Sequence, residues 1–147
     1  QKLGEKGNPE SVVLPRPTVK SSHDFSFSGL KTAAIYFLKD LEDSTKKISK
    51  EDFAASYQEA IVDTLISNFT KVLEETGVPT ISGGGGVIAN TRLREKMEVL
   101  AEKNKIECYL PSVQLSTDNA AMICAAANKG LVSTDTSSDI RLSSVIK

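Results

Sequence analysis

Four consecutive glycines, Gly83 to Gly86, stand inside Ile81–Arg94, which reads ISGGGGVIANTRLR. A short apolar run precedes them and a helical pattern follows. Backbone without Cβ atoms reaches φ > 0 and lets another molecule come within van der Waals contact. Between a strand and a helix N-terminus, such a loop aims free N–H groups at whatever lies above it. That is the geometry of a nucleotide site. The plain alternative is a flexible surface loop.

The flanking pattern makes this an α/β chain. Leu30, Ala33, Ala34, Phe37, Leu38 and Leu41 share one helix face, with Ser28 as N-cap. Ser49-Lys50-Glu51-Asp52 resembles a capping box, and Phe53, Tyr57, Ile61, Leu65 and Phe69 repeat every four residues behind it. Gly77 and Pro79 end that helix, which from about 50 to 76 spans roughly 39 Å. So broad an apolar face belongs under a sheet. Pro79–Ser82 and Ile106–Leu110 read as strands, and Asn90 caps a helix with Leu93, Met97, Leu100 and Ala101 inward. Asp118 opens a last helix that ends at Gly130. Upstream, Val12–Leu14 is extended and Phe25–Phe27 alternates as a short strand would. Three parts are expected: an irregular segment 1–24, a lobe 25–130 and a Ser/Thr-rich tail 131–147 that is poorly ordered until Ile140.

The chain has 147 residues, 39% hydrophobic and 25% charged, with a net charge of −1. It is globular, and contact with nucleic acid has to use a local patch or other segments. Cys108 and Cys124 lie in apolar stretches and read as buried thiols in a reducing compartment. No run of about 18 apolar residues predicts a membrane span. The polar start, without Met, is no signal peptide and suggests a fragment or a processed chain.

A Walker loop needs Gly-x-x-x-x-Gly-Lys-[Ser/Thr], and Val87 follows Gly86, so the run fails that test. A dinucleotide fingerprint in its Ala variant fits Gly84 to Ala89, with Glu107 at about the ribose-binding distance. A glycine run satisfies many templates, however, and only one more strand follows.

Three segments fit a third pattern together. They are Ser26-Phe27-Ser28-Gly29-Leu30-Lys31-Thr32, then Gly85-Gly86-Val87 with Ala89-Asn90 and Arg92-Leu93-Arg94, then Ser116 to Met122. In this order and spacing they resemble the TsaD/Gcp family of tRNA adenosine threonylcarbamoyltransferases. Ser56-Tyr57-Gln58-Glu59-Ala60, Gly7-Asn8-Pro9-Glu10 and Leu14-Pro15-Arg16-Pro17 carry the same likeness, which covers about residues 4 to 130.

The resemblance implies the C-terminal lobe of an actin-like ATPase (ribonuclease-H-like) fold, helix-rich in this portion. It implies transfer of a threonylcarbamoyl group from its adenylate to the adenosine beside the anticodon of ANN-decoding tRNAs. Gly84, Gly85 and Gly86 would hold the adenosine side of an adenine nucleotide or of threonylcarbamoyl-adenylate, with Asn90 touching the ligand. Asp118 would be one ligand of a divalent metal, Fe or Zn, with Mn also compatible. Two histidines of a His-x-x-x-His pair would complete that metal site, and this chain holds a single histidine, His23. The phosphate-contacting positions also lie upstream, so this portion alone is expected to be inactive. Ser116 stands where the family commonly has cysteine. Implied partners are tRNA, the N-terminal lobe, a paralogous subunit and an ATPase subunit, in the cytoplasm or an organellar matrix, with no membrane.

Each residue also has a simpler role. Asp118 and Asn90 suit helix N-termini. Lys31, Arg92 and Arg94 read as solvated cations, with an anion contact conceivable at Lys31. His23 reads as a surface residue, and Tyr109 as a possible site liner. No serine or cysteine has a base partner, so no catalytic residue is assigned. The rival function is a non-catalytic nucleotide-binding paralogue that serves as an assembly scaffold.

Overall fold

The computed structural model describes residues 1–17, 24–42, 44, 45 and 47–130; His23 and the expected tail 131–147 lie outside them. Four helices, α1 (Ser28–Glu42), α2 (Lys50–Thr76), α3 (Thr91–Asn104) and α4 (Ala120–Asn128), accompany two strands, β1 (Thr80–Ser82) and β2 (Glu107–Tyr109). Short 3₁₀ turns occupy Gly4–Lys6, Gly86–Ala89 and Val113–Leu115.

The long helix α2 is the spine. At its start the Ser49 side chain accepts from the Asp52 N–H, and at its end Gly77 takes φ 63° while its N–H donates to the Leu73 carbonyl. Both ends therefore satisfy otherwise orphaned backbone groups. Along its first half runs the N-terminal segment. There the Asn8 N–H donates to Asp52 Oδ1 (2.7 Å) and the Val12 N–H to Ser56 Oγ (3.1 Å). Val12 and Leu14 are buried and Val13 is 92% exposed, which is the expected extended alternation, although no strand forms there.

Two apolar clusters flank this spine. Val12, Leu14, Leu30 and Ala60 form one, with Phe27, Phe37, Phe53 and Tyr57 against it. Val62, Leu73, Ile81, Ile88, Leu93, Met97, Leu100 and Ala101 form the other. The second cluster joins α2 to a strand–helix–strand unit in which β1 and β2 pair in parallel, Ile81 opposite Cys108. Parallel neighbours need a crossover helix, and α3 supplies it.

Several expectations are corrected. Phe25–Phe27 forms no strand; Phe25 stacks on Phe27 at 6.4 Å and meets Phe69 edge-on at 6.3 Å, so the alternation serves ring packing. Ser28 is the first helical residue instead of the cap, and the Phe27 carbonyl accepts from the Lys31 N–H. The four-residue stripe of α2 is only half-buried, because α2 buries Ala55, Ser56, Ala60, Val62, Thr64 and Leu73 instead. Cys108 is half-buried against the second cluster, but Cys124 is exposed because α4 buries nothing. Among the described residues no helix is long and apolar enough to cross a membrane.

Candidate nucleotide-binding site

The four glycines do different things. The Gly83 N–H donates to the Tyr109 carbonyl (3.1 Å), continuing the parallel pairing past β1. A Cβ at Gly83 would lie 2.6 Å from Ile88 Cδ1 and 3.1 Å from Leu110 Cδ2, so the loop folds back onto its own exit. Gly85 takes φ 80° and ψ 175°, a region essentially reserved for glycine. Added Cβ atoms at Gly84 or Gly86 would meet nothing. The 3₁₀ turn Gly86–Ala89 then buries Ile88 in the core and leaves Val87 68% exposed.

Asn90 closes the loop and caps α3: its Oδ1 accepts from the Leu93 N–H at 3.1 Å. Its other end is also held, since Nδ2 donates to Gln58 Oε1 of α2 at 3.0 Å. Next to this bond, Arg92 grips Glu59 with both Nε (2.8 Å) and Nη2 (2.9 Å), and Lys96 reaches both Glu59 and Asp63. Asp63 also accepts from Arg16 Nε at 2.7 Å. The Arg92 hydrogen bond, opposed by burial and helped by Lys96, holds the Glu59 carboxyl down to about 2. Glu59 in turn raises the Arg92 guanidinium above its usual range. Arg92 is thus not a merely solvated cation. Because α3 packs on α2, this face meets a carboxylate instead of water alone. Arg94, half-buried, donates to the Ile88 carbonyl (3.3 Å), while Lys31 is exposed.

Between α2 and the loop lies an open, largely apolar cavity of about 1130 Å³. Gly86, Val87, Ala89, Asn90 and Leu93 form one wall, and Phe53, Tyr57, Gln58, Ile61 and Leu65 another, with Leu38, Leu41 and Ile48 beyond. Phe53, Tyr57, Ile61 and Leu65 of the half-buried stripe are therefore cavity lining, while Phe69 packs against the second cluster. Gly84 and Gly85 do not line it. Neither does Tyr109, which is exposed and donates from its hydroxyl to Glu107 Oε2 (2.9 Å).

Asp118 stands elsewhere. It does not open α4: Asn119 is the cap, its side chain accepting from the Met122 N–H. Asp118 is exposed, and no group of three His, Cys, Asp or Glu side chains able to hold a metal occurs among the described residues. Ser116 is buried, its hydroxyl donating to the Ser112 carbonyl (2.9 Å). Burial first, then Glu98, pushes the Cys108 thiol up, against a smaller opposing effect of Arg94, so it is a poorer nucleophile than a free thiol. In the sequence alone Gln58 and Glu59 have no evident role. Only the packing of α2 on α3 supplies one.

A strand, a glycine loop with a doubly held asparagine at its exit, a crossover helix and a parallel strand make this an α/β protein with a glycine-rich strand-to-helix loop. The family model described as tRNA N6-adenosine threonylcarbamoyltransferase matches residues 1–125, and the chain belongs to that family. The enzyme of that name from Thermosipho africanus is 41% identical, over 98% of this chain and 43% of its own length. Those from Clostridium novyi and Thermotoga neapolitana are 40% and 42% identical, over 86% and 84% of this chain. Their own lengths are covered to 38% and 37%, so the chain spans about two fifths of the relatives it matches.

Proposed function

We propose that this chain forms the adenosine-side half of the site in an enzyme that makes N6-threonylcarbamoyladenosine in tRNA. The reaction is transfer of the threonylcarbamoyl group from its adenylate to the exocyclic amine of the adenosine beside the anticodon in ANN-decoding tRNAs. The architecture proposed is the C-terminal lobe of an actin-like fold, working with an N-terminal lobe, a paralogous subunit and an ATPase subunit.

The observation that carries this reading is the position of Asn90 on the wall of an apolar cavity, beside Gly86 and Val87. An adenine ring has apolar faces and a polar edge. A cleft with apolar walls and one fixed carboxamide suits that combination. Gly86, with no side chain, leaves room for ribose at the loop. Gly85 supports the turn from behind through its positive φ. This half of the site binds and orients the nucleotide, and its apolar walls exclude water from the base.

Asp118 is proposed as one oxygen ligand of a divalent metal. Its exposed carboxylate fits that single role, and the remaining ligands would be histidines outside this chain. When bound, such an ion polarises a carbonyl as a Lewis acid. Asp118 alone does not make a metal site.

The test uses the full-length protein with its partner subunits, tRNA and threonylcarbamoyl-adenylate, and nucleoside mass spectrometry reads the product. Asn90→Ala is expected to raise KM for the adenylate, and Asp118→Ala to abolish turnover. Undiminished product from both variants would remove the assignment.

A further inference from the structure

We propose that Glu59 is a positioning residue for the transfer reaction: through Arg92 it fixes how the glycine-loop wall of the cavity stands against the α2 wall, and so sets affinity for the adenylate without touching it. This rests on the reading that the cavity between α2 and the loop receives the adenylate.

The two walls are far apart in the chain, and the loop itself is loosely packed. Added Cβ atoms at Gly84, Gly85 or Gly86 would meet nothing. The placement of the loop wall therefore depends on its two ends. The entry is held by the Gly83 bond to Tyr109. The exit is the first turn of α3, held against α2 by the buried Leu93 and by a set of ion pairs. Glu59 and Asp63 stand one turn apart on α2, and Arg92 and Lys96 one turn apart on α3, so each pair shares a face. Arg92 meets Glu59, and Lys96 meets both Glu59 and Asp63. The numbers rise together on both helices, so these contacts fix the register of α3 along α2 as well as its distance. Apolar contact is non-directional and does not do this alone.

Arg92 is the member of the set that acts on the loop. It lies two residues after Asn90, and it grips Glu59 with two bonds of 2.8 and 2.9 Å, which fix direction as well as distance. Its place is poor for helix stability. A cation in the first turn opposes the helix dipole, and α3 has no acid there to offset it. Glu59, 13% exposed, and the more exposed Glu95 compensate from outside that turn. Neither Glu59 nor Arg92 lines the cavity, whereas their neighbours Gln58 and Asn90 do. Glu59 thus acts on the cavity from behind its wall. When Glu59 is removed Lys96 keeps Asp63, so the second turn of α3 stays tied while the first turn, beside the loop, is released.

The experiment uses the full-length enzyme with its partner subunits and follows product by nucleoside mass spectrometry, varying threonylcarbamoyl-adenylate and tRNA in turn. The variants are Glu59→Gln, Arg92→Lys, Asp63→Asn and Asn90→Ala, each assayed well below its unfolding midpoint. Arg92→Lys keeps the charge and loses the two-pronged grip, so it carries the test if Glu59→Gln fails to fold. Asp63→Asn breaks ion pairs of the same network one turn further from the loop and serves as the matched control. Glu59→Gln and Arg92→Lys should raise the adenylate KM about fivefold, the scale of one partly exposed ion pair. Their kcat and tRNA KM should stay within about twofold of wild type, as should the adenylate KM of Asp63→Asn. A wild-type adenylate KM in Glu59→Gln or Arg92→Lys, with that of Asn90→Ala raised, overturns the role of Glu59 and leaves the nucleotide site standing. A wild-type adenylate KM in Asn90→Ala overturns both. An equal rise in Asp63→Asn and Glu59→Gln also overturns the positioning role, since general loosening of the helix pair would then account for it.

Discussion

Helices α3 and α4 begin in the same way and end up in opposite situations. Each is capped by an asparagine whose side chain accepts from the N–H three residues on: Asn90 from Leu93, Asn119 from Met122. Yet α3 buries Leu93, Met97, Leu100 and Ala101, and α4 buries nothing. The difference lies in the pattern behind the cap. In α3 the large apolar residues recur at helical spacing on one face, and charged residues cover the other. In α4 Met122 and Ile123 are adjacent and the rest is mostly alanine, so little apolar area is gathered on one side. A cap decides where a helix starts. Burial decides whether the rest of the fold depends on it. Asn90, in the proposed nucleotide half-site, caps the dependent helix, and Asp118 stands at the head of the independent one.

The widest gap between the two helices is expected in their methionines. Met97 is 1% exposed and Met122 45%. Met97→Ala should cost about 2–5 kcal/mol in urea denaturation, and Met122→Ala less than about 0.5. Similar costs at the two positions would show that α4 is packed after all.

A smaller effect is expected from the ion pairs that only α3 makes with α2. Glu59→Gln should cost about 1–2 kcal/mol, less at high salt because Arg92 is 41% exposed. It should also flatten the acid limb of the stability curve. The Glu59 carboxyl falls from 4.5 to about 2 on folding. Its contribution is therefore full above pH 4.5 and is lost as pH falls toward 2. Wild type should lose stability over that window more steeply than Glu59→Gln. Parallel curves would mean that the pair does not hold α3 in solution.

The caps themselves should differ least. Asn90→Ala should cost about 1 kcal/mol, the usual value of a cap, and Asn119→Ala less than about 0.5, because fraying of α4 exposes nothing. Chemical denaturation with a circular dichroism readout checks both. A large global cost at Asn119 would contradict the contrast.

Much of the framework was legible in short stretches of sequence. Ser49, Gly77 and Asn90 act on backbone groups within about one helical turn, so their neighbours in the chain were enough to place both ends of α2 and the start of α3, whereas the Asp52 carboxylate accepts from the distant Asn8 N–H. The order strand, glycine loop, helix, strand was also legible, and the structure adds that the two strands pair in parallel. Local rules failed where two residue types compete. At Asp118-Asn119 either could cap, and the backbone chose Asn119. At Phe25–Phe27 alternation resembled a strand, but ring contacts with Phe69 took the place of pairing.

Sequence alone therefore settled the α/β class, the family, the long helix and the asparagine at the exit of the glycine loop. All of these rest on contacts between near neighbours or on ordered motifs. The tertiary structure decided that Gln58 meets Asn90, that Arg92 grips Glu59, and that most of the apolar stripe of α2 lines a cavity. The first two join residues 32 and 33 positions apart. Helical spacing predicts which side chains share a face, but what that face meets depends on how α2 and α3 pack across the core.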